Sequence, residues 1–454
     1  MIAPTDDPAI LEGYLHDASN VRGRAEMLFR PRSAEEVAEI VTWCQARGVP
    51  LTVTARRTST TGAPVPQGGA LLSTELLDRV HALDDVEGGV LLGAYQDEAE
   101  RAGSFFPPDP TSRHECSIGG AIACNASGAR SYRYGPTRRW IEAVELVTPT
   151  GQILQVDRTT PSPWPVPQWT EPRVKTAAGY FPATNLLDLV IGSEGTLGVV
   201  TRTRTRLVPK PAEVLGIWVY LPTRAATLAL VQQARALPAD LAPRCIEYVD
   251  RASLDLARGR IPDVPDAAAA LYVEIEHRGE PPVDAWIALL SGVGADLDTT
   301  VVADDDAARA RLHAVRHAVP ATINEHAARN GFPKLGTDFA VPHERLAEIM
   351  DAYDATDLPT ACFGHIGDSH LHLNFLPRTV EEVARARARY NELAELAVSM
   401  GGTVSAEHGI GRHKTHLLAK MVGPEVLAGW RALRVAADPA GILGRGVLFG
   451  PLPT

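Results

Sequence analysis

An α+β fold is predicted from three observations along the 454 residues. Isolated helices and strands alternate with loops of small residues up to Pro211. Beyond it, strands follow one another with helices between them, and long helical stretches come after Thr379. This order suggests an antiparallel sheet with helices on one face. The expected division is residues 1–211, 212–400, and 401–454.

The elements follow in order. Ser33-Ala34-Glu35-Glu36 is a capping box: the Ser33 hydroxyl is placed for a first-turn N–H and Glu36 reaches back. Val37, Ile40, Val41 and Cys44 continue at helical spacing to Gly48. Pro50–Thr54 reads as a strand running into the loop Ala55-Arg56-Arg57-Thr58-Ser59. Helix, strand and loop look like the opening of a nucleotide-binding unit, although no GxGxxG is present. Phe105–Pro110 (FFPPDP) is a proline-set elbow leading to Ser117–Gly128 (SIGGAIACNASG). In that run a backbone could press against something flat or anionic, or simply pack tightly inside. Ile141–Pro149 and Gln152–Val156 form a hairpin. The proline-rich stretch Asp157–Arg173 reads as an ordered excursion over the surface, with an active-site cover as the alternative. The small-residue run Gly192–Gly198 and the strand Thr201–Val208 close the first part. Further strands are expected at Leu215–Leu221, Ile246–Val249, Leu271–Ile275 and Thr300–Val302. Helices are expected at Arg224–Leu237, Ala285–Leu290, Ala307–Arg329, Thr379–Met400 and Leu417–Ala437.

The totals exclude several functions. A net charge of −11, from 44 basic and 55 acidic residues, argues against nucleic acid as a partner. No run of about 18 apolar residues exists to span a bilayer. The N-terminus has no signal-peptide pattern. Five scattered cysteines suit a reducing cytoplasm and offer no iron–sulfur module.

Chemistry concentrates in two stretches. In Gly364–Asn374 (GHIGDSHLHLN), a turn precedes an alternating strand on which His372 and Asn374 share a face. The turn could fold His365 back beside His372, giving half of a divalent-metal site; the plain alternative is a polar hairpin face. In Ser405–Gly411 (SAEHGIG), neighbouring side chains diverge. One of Glu407 and His408 could complete a His/His/Glu site while the other faces a substrate.

Taken together, FFPPDP, SIGGAIACNASG with Tyr134-Gly135, Lys175 with Ala178-Gly179-Tyr180, GSEGTLGVVT, GHIGDSHLHLN, SAEHGIG and Asp438–Leu443 resemble the FAD-linked 2-hydroxy-acid dehydrogenases. That family includes D-lactate dehydrogenase, the glycolate oxidase catalytic subunit and D-2-hydroxyglutarate dehydrogenase, within the vanillyl-alcohol-oxidase type of flavin fold. The likeness runs from about Pro31 to Leu448.

The resemblance implies a two-subdomain, PCMH-type FAD-binding domain and an antiparallel-sheet cap with C-terminal helices. It implies FAD contacts from Arg56, Arg57, Thr58, Ser59, Pro108, Asp109, Ser117, Gly119, Gly120, Asn125, Ser127, Gly128, Tyr134, Gly135, Glu194, Gly195, Gly198 and Val199. It gives His365, His372 and Glu407 to a divalent metal, zinc for preference. His408 becomes the general base, Asn374 a substrate contact, and Arg316 the partner of the substrate carboxylate. The implied reaction oxidises a small 2-hydroxy acid of the D-lactate or glycolate class. Electrons would leave to a quinone, a cytochrome or an electron-transfer flavoprotein, with oxygen left open. The implied location is cytoplasmic, and a homodimer is allowed.

The sequence also departs from the family pattern. Ala55-Arg56-Arg57 stands where three glycines are usual, and left-handed backbone costs arginine about 1 kcal/mol or more. Gly336 replaces a common lysine, with Lys334 displaced, and His370 replaces a common asparagine. The rival readings are an accessory flavin subunit and a flavin-deficient paralogue without dehydrogenase activity.

Overall fold

The computed structural model describes residues 2–260 and 264–450. The capping box opens the helix Ala34–Arg47: Ser33 Oγ accepts from Glu36 N at 3.3 Å, and Gly48 ends it at φ 63°. The Glu36 carboxylate reaches one residue further back than predicted, accepting from Arg32 N at 2.6 Å. This helix, with Val37, Ile40, Val41 and Cys44 buried, covers a parallel three-stranded sheet of Met27–Phe29, Ala70–Ser73 and Leu51–Thr54.

A second sheet has five antiparallel strands in the order Val80–Ala82, Asp85–Glu87, Val199–Thr205, Ile141–Val147 and Ile153–Asp157. The predicted hairpin forms its edge. Within the second sheet's span of sequence, between Asp85–Glu87 and Ile141–Val147, runs the helix Leu92–Arg101, which no sequence expectation covered.

The third sheet is the largest. Its path is Val301–Ala303, Glu213–Leu221, Ala269–His277, Pro243–Asp250, Thr360–His365, His370–Phe375 and Leu335–Gly336, with Phe339–Ala340 also on His370–Phe375. Every pairing is antiparallel.

One expectation is overturned: helices cover both faces of this sheet, not one. Leu215, Ile217, Val219 and Leu221 pack with Leu230, Val231, Trp286 and Leu290 of the helices Arg224–Arg235 and Val283–Gly292. Trp218 and Tyr220 pack the other way, with Leu254, Leu312, Val319 and Ile323 of Arg251–Ala257 and Asp306–Asn330. The cause is visible in VLGIWVYL, an unbroken apolar strand in which consecutive side chains are all buried. A strand with one wet face would alternate.

The C-terminal helical stretch is broken where Gly423 turns to φ 77° ahead of Pro424. Among the described residues no helix is long and apolar enough to cross a membrane.

Candidate functional site

The strands Thr360–His365 and His370–Phe375 form a hairpin whose last pair is His365 opposite His370. A 3₁₀ turn, Ile366–Asp368, and Ser369 at φ 53° close it. Arg235 clamps the turn, its guanidinium donating to the carbonyls of Ile366 and Gly367 at 2.7 and 2.9 Å. The fold-back expected of His365 therefore forms, and its ring centroid is 5.7 Å from that of His372.

Glu407 lies against both rings. Its Oε2 is 3.3 Å from His365 Nε2 and its Oε1 is 3.3 Å from His372 Nε2. Nitrogen and oxygen ligands about 2.0–2.1 Å from one ion in tetrahedral array stand about 3.4 Å apart, so the spacing suits a metal. Each imidazole is held from behind. His365 Nδ1 faces Glu247 Oε1 at 2.6 Å, and His372 Nδ1 faces the Thr337 carbonyl at 2.9 Å. An acceptor on the outer nitrogen leaves the inner lone pair free for an ion. Burial works against charge on His365, but Glu247 holds its pKa up to about 9 without a metal.

His370 enters the same cluster. His365, His370, His372 and Glu407 each offer a ligand atom within 4.8 Å of the others.

His408 diverges from Glu407 as expected. It stacks on His372 with centroids 5.3 Å apart, and its side chain is 34% exposed against 9% for Glu407. Burial of its nitrogens pushes the pKa down to about 4, against the pull of Asp338 and Glu407. The ring is neutral at pH 7 and can accept a proton.

Four residues that sequence reasoning did not place in the site hold it together. Lys175 Nζ donates to Glu407 Oε2 at 2.9 Å. Glu247 orients His365. Asp338, fully buried, accepts from Glu407 N and His408 N at 3.2 and 3.1 Å, and from Ser405 Oγ and Lys414 Nζ at 2.7 and 2.6 Å. Burial opposes its charge, but His408, Lys414 and His370 keep its pKa well below the usual carboxylate range. Lys175 belongs to a motif quoted above, so a signal for it existed. Glu247, Asp338 and Lys414 are single residues whose partners lie far along the chain, and no local pattern marks them.

Arg316 is neither a free carboxylate anchor nor a solvated helix residue. It is buried, and its Nε and Nη2 both donate to Glu247 Oε2, at 3.0 and 2.7 Å. Two of its five donors are taken by that one oxygen. Asn374 Nδ2 donates to the His372 carbonyl at 2.9 Å, and its Oδ1 accepts from Lys334 Nζ at 2.9 Å. Burial pushes Lys334 down to about 8, and no carboxylate among the described residues pairs with it.

The loops assigned to the cofactor lie against this cluster. Thr61 Oγ1 donates to the His408 carbonyl at 3.4 Å. Glu194, at φ 52°, accepts from Ile410 N and Gly411 N, each at 2.7 Å, so its carboxylate is a brace for the Glu-His loop. Gly192 N and Glu194 N donate to the carbonyls of Ile122 and Ala123 at 3.0 and 2.8 Å, joining two of the small-residue runs.

Some glycines there serve internal packing, the plain alternative. A Cβ on Gly128 would lie 2.0 Å from the Asp109 carbonyl oxygen, and one on Gly119 2.6 Å from that of Gly88. Ser117 caps the helix Ile118–Cys124, accepting from Gly120 N, and Asn125 ends it at φ 48° with its Oδ1 accepting from Arg138 N at 2.9 Å. Pro108 accepts through its carbonyl from Gln96, and Asp109 Oδ1 from Arg130 N at 3.0 Å. Tyr134 is a strut, packed between Phe105 and Trp140 with its hydroxyl on Glu276 of the large sheet, and Gly135 ends its helix at φ 75°. Ser59 Oγ is 3.2 Å from Thr61 Oγ1, beside half-buried Thr58. Gly195 and Gly198 have φ 74° and 144°, and Val199 begins a strand.

Other polar atoms in and beside these loops find no partner among the described residues. Thr54 Oγ1, Arg56 Nε and Ser127 Oγ are buried with no hydrogen-bond partner. Buried polar atoms are nearly always satisfied, so such a set fits an absent polar ligand. Arg57 takes φ 58°, the left-handed backbone the missing glycines would have supplied. Its guanidinium lies 4.4 Å above the Tyr14 ring, and its Nη1 donates to the Ala55 carbonyl at 3.0 Å.

Residues 212–448 match the model of the FAD linked oxidases, C-terminal domain, and residues 25–157 match the FAD binding domain model. The chain belongs to the FAD-linked oxidase family. Its bovine relative, mitochondrial D-2-hydroxyglutarate dehydrogenase, is 31% identical over 93% of this chain and 76% of the relative. D-lactate dehydrogenase of Anaerostipes hadrus and glycolate oxidase subunit GlcD of Bacillus subtilis are each 28% identical, covering 96% of this chain and 92% of the relative. A solved alkyldihydroxyacetonephosphate synthase superposes with a TM-score of 0.70 at 15% identity, over 97% of this chain and 81% of that one; this likeness concerns fold alone. As a member of the family the protein is an FAD-linked oxidoreductase, and the unsatisfied atoms at Thr54, Arg56 and Ser127 fit that cofactor.

Proposed function

We propose that the protein oxidises a small 2-hydroxy acid, of the D-lactate or glycolate class, to the 2-oxo acid. The carrying observation is the convergence of His365 Nε2, His372 Nε2 and both Glu407 oxygens, with neutral His408 on the open side. His365, His372 and Glu407 would hold a divalent metal, zinc being one that suits the donor set. Bound there, the metal supplies Lewis acidity toward the substrate oxygens, and FAD supplies the acceptor for two electrons.

The protein's own residues do the rest. Glu247 and the Thr337 carbonyl keep the two imidazoles in the tautomer that points lone pairs inward. His408 accepts the hydroxyl proton as the alcohol is oxidised. Asn374 would bond the substrate by exchanging one of its internal partners, the His372 carbonyl or Lys334. Lys334, charged and without a carboxylate partner among the described residues, is a candidate for the substrate carboxylate beside Arg316, two of whose donors Glu247 takes. With the described cysteines free and scattered, electrons leave to a separate carrier such as a quinone, a cytochrome or an electron-transfer flavoprotein.

Anaerobic mixing of the flavin-loaded protein with a panel of 2-hydroxy acids tests this reading. Bleaching of the flavin by a D-lactate or glycolate class acid is expected. A yellow protein that no 2-hydroxy acid bleaches would overturn it and favour an accessory flavin subunit.

A further inference from the structure

The imidazole of His370 has no role in the reading above. It is completely buried. A buried imidazole needs partners for both nitrogens, yet neither ring nitrogen makes a well-aligned hydrogen bond. Nε2 lies 3.0 Å from Asp338 Oδ1, off the line of a good bond but beside a carboxylate that can keep the proton on that side. Nδ1 faces inward and ends 4.0 Å from Glu407 Oε2. The ring centroid is 4.4 Å from that of His372 and 5.4 Å from that of His365.

The three imidazoles thus share one construction. Each has an oxygen behind its outer nitrogen: Glu247 for His365, Thr337 for His372, and Asp338 for His370. Each turns its inner nitrogen toward the Glu407 carboxylate. In the first two cases that arrangement fixes the tautomer a metal needs, and the same argument applies to the third. A purely structural histidine in so polar a setting would satisfy Nδ1 with a donor of its own. Lys175 Nζ is the nearby cation on Glu407, and it donates to Glu407 and the Gly128 carbonyl.

We infer that His370 is a further metal ligand, its Nδ1 joining His365, His372 and Glu407 in a site of three imidazoles and one carboxylate. This deepens the proposed metal site and rests on it. Four protein ligands and two substrate oxygens fill six positions. Iron(II), manganese(II) and cobalt(II) accept that number more readily than zinc, which favours four. The extra histidine would therefore move the site away from a zinc preference while leaving two positions for the hydroxyl and carboxylate of the substrate.

The test uses cobalt(II) added to the metal-free, flavin-loaded protein. X-ray absorption at the cobalt edge counts imidazoles in the wild type without any substitution. His370→Asn, a smaller polar side chain, gives the comparison, with flavin content and chelator-treated melting temperature as folding controls. Three imidazoles in the wild type, two in the variant, and a cobalt affinity weakened by at least about a hundredfold are expected. Two imidazoles in both proteins, with equal affinity, would overturn the inference and leave the site of His365, His372 and Glu407 standing. A wild type that takes up no cobalt would overturn both. If His370→Asn fails to fold, the wild-type count alone decides.

Discussion

In the histidine cluster His365, His372 and Glu407 are each gripped from behind by another protein atom, whereas the cofactor loops and the strand end before them leave Thr54 Oγ1, Arg56 Nε and Ser127 Oγ buried and unmatched. The cluster works by the identity of its side chains. The loops work through small residues and backbone direction, with a few polar atoms reserved for the ligand. The difference explains why the chain carries Arg56-Arg57 where glycines are usual, yet keeps His365, His372, Glu407 and His408. Arg57 adopts the required backbone at φ 58° and recovers part of the cost by lying over Tyr14. No comparable exchange is open to a ligand atom.

Substitutions on the two sides should therefore differ in size. Glu407→Ala has the largest expected effect. It removes the carboxylate from between His365 and His372 and leaves Lys175 buried with the Gly128 carbonyl and with Asp368, 3.8 Å away. Metal retention should be lost and flavin reduction by substrate slowed at least about a thousandfold, the scale of losing a principal charge-stabilising group. Metal analysis and stopped-flow absorbance check both. His408→Ala should slow flavin reduction by about a hundredfold or more while FAD and metal stay bound. Normal single-turnover reduction in that variant would remove His408 from the role of base.

The brace between the two regions offers a smaller, pH-dependent effect. Burial pushes Glu194 up to about 7 from an ordinary 4.5, with the amides of Ile410 and Gly411 opposing. The folded chain therefore favours the protonated acid. Its contribution is complete below pH 4.5 and is lost as pH rises through about 7, a change of about 3 kcal/mol in unfolding free energy. Glu194→Gln should flatten the fall in stability across that window, as denaturant titrations at a series of pH values would show. An unchanged slope would mean that the carboxyl stays ionised in the fold.

On the loop side effects should be smallest. Arg57→Gly loses the contact with Tyr14 but relieves the left-handed backbone, so stability should move by less than about 1 kcal/mol. Arg57→Ala loses the contact and keeps the strain, and should be the less stable of the two by about 0.5–1 kcal/mol. Thermal melts of the pair resolve the order.

The same contrast governs what could be read before the structure. His365, His372, Glu407 and His408 sit in short stretches whose glycines and alternation announce them, and they converge. The ion pair of Arg316 was not legible, because a helical arginine shows its charge in sequence but not its partner, Glu247, which comes from a distant strand. Asp338 was passed over for a similar reason: five donors reach it from residues 370–414. In the fold, capped helices and long apolar strands were legible. The three-residue strands Met27–Phe29 and Val80–Ala82 are too short to carry a period. Helices on both faces of the large sheet were encoded in the unbroken apolar run of Glu213–Leu221, which the expectation of a one-sided sheet ignored.

Single-turnover flavin reduction under anaerobic conditions, measured before and after removal of metal by a chelator, tests the central claim most directly. With the 2-hydroxy acid that bleaches the flavin, the metal-free protein should react at least about a thousandfold more slowly and recover its rate when a divalent metal is returned. Equal rates with and without metal, the flavin remaining bound in both, would contradict the account.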